Sequence, residues 1–207
     1  MHVLYAHGFA SGPESSKGRA VAAHLAARGI DCTLLDLRVP DRDSLRLSAM
    51  IDTVCAAVHE PVIGVGSSLG GLTMAHAAVR EPRILKLLLL APAFRVAERW
   101  RARLGEEEWA RWQRDGTYPY DDHAGGPPLQ VDFGFIDDCA AVDRQGFPTL
   151  RAPITIVHGQ RDATVDPSLS REFAAVTPHA RLVEVDDDHQ LLSSLPQILA
   201  ELDALLA

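Results

Sequence analysis

The sequence contains few cysteines and no surplus of basic residues. Its three cysteines are odd in number and far apart along the chain: Cys32, Cys55 and Cys139. This spacing favours neither a disulfide framework nor a zinc ribbon, and it is typical of buried thiols in a reducing compartment. Asp and Glu total 28 against 20 Lys and Arg, which gives a net charge of −8. Because nucleic-acid binding depends on clustered cations, we expect a small molecule or a protein as the partner and no nucleic acid.

Long apolar segments are also missing. The N-terminal stretch MHVLYAHGFA has no basic region and too short an apolar run for a signal peptide. The segment Ile84–Ala93 is too short to cross a bilayer and contains Lys86. We therefore expect no membrane span and a cytoplasmic location. With 207 residues, of which 47% are apolar and 23% charged, the chain has the size and composition of one ordinary globular domain.

Six short apolar runs predict six β-strands. They span Val3–Ala6, Cys32–Leu37, Val62–Val65, Ile84–Leu90, Ile154–Val157 and Leu182–Val185. Most are continuously apolar, as strands covered on both faces of a parallel sheet must be. Segments with helical periodicity lie between them, and one of these is predicted to begin after Asp43 as its N-cap. Strands that alternate with helices predict an α/β fold, with a doubly wound, mainly parallel six-stranded sheet and helices on both faces.

Residues 94–151 interrupt this alternation between the fourth and fifth strands. Connections of this length are usually functional or carry their own structure. The first half contains two predicted amphipathic helices within RVAERWRARLGEEEWARWQRDG, and the second half, with YPYDDHAGGPP, is rich in turns. We expect a single domain that consists of a core, residues 1–93 and 152–207, and a helical cap insertion, residues 94–151.

The stretch VIGVGSSLGG contains the pattern G-x-S-x-G. In a nucleophile elbow this pattern forms a sharp turn between a strand and a helix, and the middle serine is exposed above the sheet. Gly66 and Gly70 select Ser68 as the nucleophile, because Ser67 has no glycine two residues to either side. A turn that binds phosphate or only packs closely is the simpler alternative. The glycine order of a dinucleotide-binding loop or a P-loop is absent, however.

A serine nucleophile needs a base, and the base needs a carboxylate. In an elbow hydrolase the order along the chain is Ser, acid, His, and the acid and the histidine each follow the carboxyl end of a strand. Asp162 follows the fifth predicted strand and His189 follows the sixth, so we predict a triad of Ser68, Asp162 and His189. We interpret His158 as a structural residue that shapes the turn presenting Asp162, and Asp166 as a helix N-cap.

The remaining histidines and acids have simpler interpretations. Three histidines lie on predicted helices as surface or packing residues and two lie in polar, turn-rich segments: His24, His59 and His76, then His123 and His179. The acids of the DDDH segment, residues 186–189, do not indicate a metal site, because the side chains of consecutive residues in an extended turn point apart and rarely share one ion. Solvated acids are the favoured interpretation there.

An acyl-transfer site also needs an oxyanion hole, in which two backbone N–H groups point at the developing negative charge. Leu69, directly after the predicted nucleophile, is one expected donor. The loop HGFASG after the first strand is expected to supply the other, and Phe9 is the predicted residue. The simpler interpretation of that loop is an ordinary turn that His7 caps with a hydrogen bond. This chemistry needs neither a metal nor a cofactor, so we predict none.

Together these residues resemble the α/β-hydrolase superfamily, and two stretches are similar to small bacterial esterases of the YqiA type. They are LYAHGFASGPESSKG near the start of the chain and VGSSLGG at the elbow. The resemblance implies Ser68, Asp162 and His189 as the triad and Phe9 and Leu69 as the oxyanion donors. It also implies a sheet with the second strand at one edge, next to the first, followed by the third to sixth. By the same resemblance, the two usual N-terminal antiparallel strands are expected to be missing.

We predict a serine hydrolase that cleaves a small carboxylic ester or thioester through an acyl-enzyme. An amidase or peptidase uses the same triad, and a non-catalytic ligand-binding protein on the hydrolase fold is the alternative outside enzymology. We interpret the three tryptophans of the insertion as residues that pack it onto the core, in preference to the lining of an acyl pocket. We interpret four arginines of the insertion as a solvated helix face, in preference to a site for an acidic group such as a coenzyme A phosphate. They are Arg95, Arg99, Arg101 and Arg103.

Overall fold

The computed structural model describes residues 1–122 and 125–207, so that His123, which the sequence assigns to a polar turn, lies outside the described residues. The strands are β1 (His2–Ala6), β2 (Cys32–Leu35), β3 (Val62–Ser67), β4 (Ile84–Leu90), β5 (Thr117–Tyr120), β6 (Leu129–Asp132), β7 (Ile154–Gly159) and β8 (Ala180–Val185). Six of them form one sheet in the order β2-β1-β3-β4-β7-β8, in which every neighbouring pair is parallel. This confirms the predicted fold class and the strand order that the family resemblance implies.

Helices cover both faces of the sheet. They are α1 (Ser16–Ala26), α2 (Leu47–Ala57), α3 (Leu69–Arg80), α4 (Val96–Asp115), α5 (Phe133–Asp143), α6 (Ser168–Val176) and α7 (Leu195–Leu206). Along β1, Val3 and Tyr5 pack with α1 and α7, whereas Leu4 and Ala6 pack with α2 and α3. From Val3 to Ala6, β1 is therefore apolar without alternation. Among the described residues, no helix is both long enough and apolar enough to span a bilayer.

The carboxyl ends of the sheet strands meet at one edge. At this edge Ala6 of β1 pairs with Gly66 of β3, and Gly159 of β7 pairs with Val185 of β8. Because all six strands run in the same direction, the loops that follow β1, β3, β7 and β8 lie next to one another. Segments far apart in the sequence are brought together there, as in other open α/β sheets.

The insertion between β4 and β7 has its own secondary structure. Helix α4 changes direction at Gly105 (φ 74°, ψ 167°), so it consists of two helical segments, as the sequence predicts. Strands β5 and β6 form an antiparallel hairpin, and α5 follows it; neither was predicted. Trp112 is buried and its Nε1 donates a hydrogen bond to the carbonyl oxygen of Val131 at 2.8 Å. The packing interpretation is therefore right for this tryptophan.

The N-cap predicted at Asp43 is wrong. Helix α2 begins at Leu47, and the Asp43 carboxylate instead accepts a hydrogen bond from the backbone N–H of Gln130 in β6, at 3.1 Å. The start of α2 is capped from α5, because the Asp138 carboxylate accepts hydrogen bonds from the backbone N–H and the hydroxyl of Ser48 at 2.7 and 2.8 Å. Both acids therefore attach the insertion to the core.

Asp166 acts close to the position predicted for it. Its carboxylate accepts a hydrogen bond from the backbone N–H of Ser168, the first residue of α6, at 2.8 Å. Pro167 occupies the N-cap position itself. The side chain thus caps α6 from one residue further upstream than expected.

Candidate active site

Ser68 lies in a sharp turn between β3 and α3. Its backbone (φ 54°, ψ −116°) is in a region that residues with a side chain rarely adopt. A Cβ atom on Gly66 would lie 2.4 Å from the carbonyl oxygen of Gly70, and a Cβ on Gly70 would lie 2.2 Å from the carbonyl oxygen of Ala6. Larger residues at these two positions would therefore push the helix away from the sheet and displace the turn.

Hydrogen bonds from neighbouring elements hold the strained turn. The Ser68 N–H donates to the carbonyl oxygen of Leu90 at the end of β4, at 2.8 Å. The Ser68 carbonyl oxygen accepts from the N–H groups of Gly71 and Ala93, at 2.9 and 3.1 Å. Strain of about 1–3 kcal/mol in such a residue persists only where the surroundings fix it in this way.

The side chains of Ser68, His189 and Asp162 form a hydrogen-bonded chain across this edge. His189 Nε2 lies 3.0 Å from Ser68 Oγ, and His189 Nδ1 lies 2.7 Å from Asp162 Oδ2. Because an ionised carboxylate only accepts hydrogen bonds, Nδ1 carries the ring proton and Nε2 accepts from the serine hydroxyl. In this tautomer His189 has a free electron pair directed at the proton of Ser68.

Asp162 is buried and accepts four hydrogen bonds. The N–H groups of Thr164 and Val165 donate to Oδ1, both at 2.8 Å. His158 Nε2 and His189 Nδ1 approach Oδ2 at 3.1 and 2.7 Å. Burial raises the pKa of the Asp162 carboxyl, but the hydrogen bonds from the two histidines outweigh burial and hold the pKa well below its usual value. The side chain is therefore an anion, and its orientation is fixed on both oxygens.

The loop that carries His189 is anchored on both sides. Lys17, at the start of α1, is buried, and its Nζ donates to the carbonyl oxygen of Gln190 at 2.6 Å. Asp187 is also buried, and its carboxylate accepts from the backbone N–H and the hydroxyl of Ser194, both at 2.9 Å. These contacts fix the backbone on either side of His189.

The other two acids of the DDDH segment point away from this loop's interior. Asp186 is exposed and pairs with Arg161 at 3.2 Å. Asp188 is exposed and accepts from the backbone N–H of Gln190 at 2.8 Å. The solvated interpretation is thus right for Asp186 and Asp188 and wrong for Asp187, which has a structural function.

The predicted oxyanion donors, Phe9 and Leu69, lie on the two segments that meet at Ser68. The loop after β1 packs on the elbow so closely that a Cβ on Gly8 would lie 3.4 Å from the Cβ of Ser68. In the part of the chain that the structure describes, the backbone N–H groups of Phe9 and Leu69 donate to no protein acceptor. Both groups are therefore available to a bound ligand.

His7 supports the loop that contains Phe9. Its Nδ1 donates to the carbonyl oxygen of Gly8 at 2.8 Å, and its Nε2 accepts from the backbone N–H of Leu37 at 3.0 Å. Burial lowers the pKa of His7, which favours the neutral ring that this pair of contacts requires. The capping hydrogen bond considered for His7 is thus present and connects the loop to the chain after β2.

One protein-family model matches nearly the whole chain. Residues 2–206 match the model of an uncharacterised protein family, UPF0227. This chain belongs to UPF0227. The match includes every residue of the candidate site, whereas no curated protein matches the chain.

Solved structures that are similar to this UPF0227 protein include several α/β hydrolases. Alpha/beta hydrolase domain-containing protein 10 from mouse has a TM-score of 0.81 at 20% identity, with 99% of this chain and 89% of that chain covered. Est1E from Butyrivibrio proteoclasticus has a TM-score of 0.76 at 22% identity, with 99% and 86% covered. A structure described under LipS and LipT, two metagenome-derived lipolytic enzymes, has a TM-score of 0.79 at 18% identity, with 99% and 92% covered. At these identities the likeness establishes the α/β-hydrolase fold.

Within residues 1–122 and 125–207 of the UPF0227 protein, two cavities reach Ser68. One, of about 280 Å³, lies under the insertion and is lined by arginines and by apolar and aromatic side chains, among them Phe9, Trp100, Tyr120 and Phe135. The other is a groove of about 630 Å³ that also reaches His189 and is lined largely by polar residues from the loop before α1. The packing interpretation is therefore incomplete for Trp100, which lines the smaller cavity.

Several residues around these cavities of the UPF0227 protein have no clear functional signal in the sequence. Lys17 lies in the stretch LYAHGFASGPESSKG, so its position in this family-like segment is the available signal. Tyr120 and Phe135 lie in the half of the insertion where no periodic pattern is visible. Arg99 and Arg103 both line the smaller cavity, and their spacing of four residues, which places them on one side of a helix, is the available signal.

Proposed function

We propose that this chain is a serine hydrolase that cleaves a small carboxylic ester or thioester through an acyl-enzyme. The observation that carries the proposal is the chain of hydrogen bonds from Asp162 through His189 to Ser68, at 2.7 and 3.0 Å. A serine hydroxyl becomes an effective nucleophile when an oriented base removes its proton. The α/β-hydrolase fold supports the same proposal.

In the proposed first step, Ser68 Oγ attacks the acyl carbon while His189 Nε2 takes the hydroxyl proton. The negative charge that develops on the carbonyl oxygen is stabilised by the backbone N–H groups of Phe9 and Leu69. Asp162 stabilises the imidazolium, which then protonates the leaving group. In the second step, a water molecule gives its proton to the same histidine and attacks the acyl-enzyme, which releases the acid and restores the serine.

We further propose that residues 94–151 form a cap over a core of residues 1–93 and 152–207 within one domain. Trp100, Tyr120 and Phe135 from this segment line the cavity beside Ser68. A cap with these side chains excludes water from the acyl group and determines which acyl groups fit.

Labelling with a fluorophosphonate probe tests the nucleophile. We expect one adduct per chain by intact-protein mass spectrometry, located on the peptide that contains Ser68, and no adduct on the Ser68→Ala variant. The Ser67→Ala variant removes the adjacent hydroxyl and is the matched control, which should label like the unmodified protein. Absence of labelling in folded protein would overturn the proposal in favour of a non-catalytic ligand-binding protein.

A turnover panel with one acyl group tests the type of bond. p-Nitrophenyl butyrate, S-(p-nitrophenyl) thiobutyrate and butyryl p-nitroanilide share the acyl group and the nitrophenyl ring and differ in the leaving atom, which is O, S or N. We expect the ester or the thioester to have the highest kcat/KM, and Ser68→Ala to lower kcat by about 10⁴-fold or more. Faster turnover of the anilide would replace the esterase assignment with an amidase or peptidase.

A further inference from the structure

The arginines on the first segment of α4 differ in their partners. Arg95 donates to the Glu172 carboxylate at 2.5 Å. Arg101 donates to both oxygens of the Glu106 carboxylate, at 2.9 and 2.7 Å. These two arginines lie at the surface, and each already has a carboxylate of its own.

Arg99 and Arg103 lie one helical turn apart and line the 280 Å³ cavity beside Ser68. Within residues 1–122 and 125–207, neither forms a salt bridge, in contrast to Arg95 and Arg101. Arg99 is half-buried and has no carboxylate partner, which is unusual because a charge near apolar surface is normally paired, whereas Arg103 is exposed at the rim of the cavity.

Most hydrogen-bond donors of these two guanidinium groups remain available. Arg99 donates to the carbonyl oxygens of Phe94 and Thr164, at 3.3 and 3.1 Å. The Arg103 guanidinium lies 6.0 Å from the centre of the Tyr120 ring. Since each guanidinium has five N–H donors in a planar fork, both retain donors that fit the two oxygens of a carboxylate.

Nearby carboxylates do not neutralise this pair directly. Asp166 also lines the cavity, but it is engaged with the N–H of Ser168 at 2.8 Å. Asp162 and Asp143 act on Arg99 from a distance, and each accepts hydrogen bonds from other groups. The lining of the cavity therefore contains two cations and one carboxylate, although the whole chain has a net charge of −8.

We propose that the substrate carries a free carboxylate, which Arg99 and Arg103 bind while its ester or thioester carbonyl lies at Ser68. Trp100 and Tyr120 would contact the carbon skeleton between the two groups. The proposal rests on the proposed serine hydrolase function and names its substrate class, an ester or thioester with a carboxylate on either the acyl side or the leaving-group side.

Two matched pairs of esters test this substrate class. Mono-p-nitrophenyl adipate and p-nitrophenyl hexanoate differ by a carboxylate on the acyl side, and 4-carboxyphenyl hexanoate and phenyl hexanoate differ by one on the leaving-group side. We expect the carboxylate member of one pair to have a kcat/KM on the order of ten-fold higher than its neutral partner. Added salt should reduce this preference, because it screens the charges.

Variants on α4 assign the preference to individual residues. Arg103→Gln should raise KM for the preferred carboxylate ester by a larger factor than KM for its neutral partner, so that the preference falls. Arg99→Lys keeps the charge without the planar fork, so we expect an intermediate preference. Arg101→Gln removes a cation from the same helix outside the cavity and is the matched control, which should keep the preference of the unmodified protein.

The outcomes separate this inference from the proposed function. If both members of each pair are hydrolysed equally well, or if Arg101→Gln changes the preference as much as Arg103→Gln does, the inference is overturned and the hydrolase proposal stands. If none of the four esters is hydrolysed by folded protein, both are overturned.

Discussion

Replacing His158 with leucine removes three buried contacts around the proposed catalytic acid. The imidazole is fully buried, and its Nε2 lies 3.1 Å from Asp162 Oδ2 and 3.0 Å from the carbonyl oxygen of Val165. Both partners are acceptors, so Nε2 carries the proton. Nδ1 then accepts from the hydroxyl of Ser170 at 2.7 Å. Leucine has a similar volume but neither donates nor accepts.

The expected loss of stability follows from these contacts. Losing a hydrogen bond to an ionised group costs about 1.5–3 kcal/mol, and leaving the buried Ser170 hydroxyl without a partner costs about 1–3 kcal/mol more. We therefore expect the free energy of unfolding to fall by about 3–5 kcal/mol. The pKa of Asp162 rises in this variant, because one of the two imidazoles that lower it is gone.

Catalysis should also be impaired in the folded fraction of this variant. Asp162 Oδ2 loses one of its two contacts, so it orients His189 less well, and we expect kcat to fall by about 10- to 100-fold with little change in KM. Urea unfolding measures the stability, and p-nitrophenyl ester turnover below the unfolding transition measures kcat. Ser170→Ala is the matched control; it leaves the buried Nδ1 of His158 without a partner, so we expect a loss of about 1–3 kcal/mol and an unchanged kcat. An unchanged kcat in His158→Leu would refute the idea that His158 orients the triad.

Two further perturbations have defined outcomes. Burial lowers the pKa of His76 from 6.5 to about 4. Between these two values the unfolded chain binds a proton at this residue and the folded chain does not, so acid favours unfolding. His76 should therefore make the protein about 2 kcal/mol less stable at pH 4.5 than at pH 7. Urea unfolding at the two pH values should show this difference reduced in His76→Gln, and an equal difference in both proteins would contradict it. Lys17→Met removes the contact with Gln190 and should lower kcat about ten-fold. Lys17→Arg should restore part of the lost kcat. Ester hydrolysis kinetics measure both variants, and an unchanged kcat in Lys17→Met would refute the idea that Lys17 positions the loop of His189.

The sheet and the elbow could be predicted because their information is local. Strands buried on both faces must be continuously apolar, and the observed strands lie at or within a few residues of those runs. Gly66 and Gly70 are required by contacts shorter than a Cβ allows, and the same glycines make Ser68 recognisable in the sequence. Once the sheet is assigned, Asp162 and His189 follow from their positions after strands, since parallel strands end at one edge.

The insertion could not be predicted to the same depth because its partners are remote in the sequence. Asp43 has the local pattern of an N-cap, yet its carboxylate binds the N–H of Gln130, 87 residues further along. The hydroxyl and N–H of Ser48 are satisfied by Asp138, 90 residues away. The pattern of one segment contains no information about which distant group will form a hydrogen bond with its side chains.

The same limit applies to the arginines of α4. Their local sequence does not distinguish Arg101, which pairs with Glu106, from Arg99 and Arg103, which line a cavity. The difference arises only when α4 packs over the edge of the sheet and one of its sides faces Ser68. The interpretation as a solvated face is therefore right for Arg101 and wrong for Arg99, which is half-buried.

Backbone strain is concentrated at the edge where these residues meet. Among the described residues, the non-glycine residues with a positive φ are Ala10, Ser68, Ala91, Arg95 and Leu191. Each lies in a segment that follows the carboxyl end of a sheet strand, β1, β3, β4 or β8. Such conformations cost about 1–2 kcal/mol each, so the packed sheet and its helices must offset several kcal/mol at this one edge. Stability alone gives no reason to retain that strain, because less strained loops would stabilise the same sheet. An edge whose loops hold Ser68, His189 and the proposed oxyanion donors in one arrangement would give such a reason, and the distribution of strain therefore supports the proposed hydrolase site independently of the distances between the proposed triad residues.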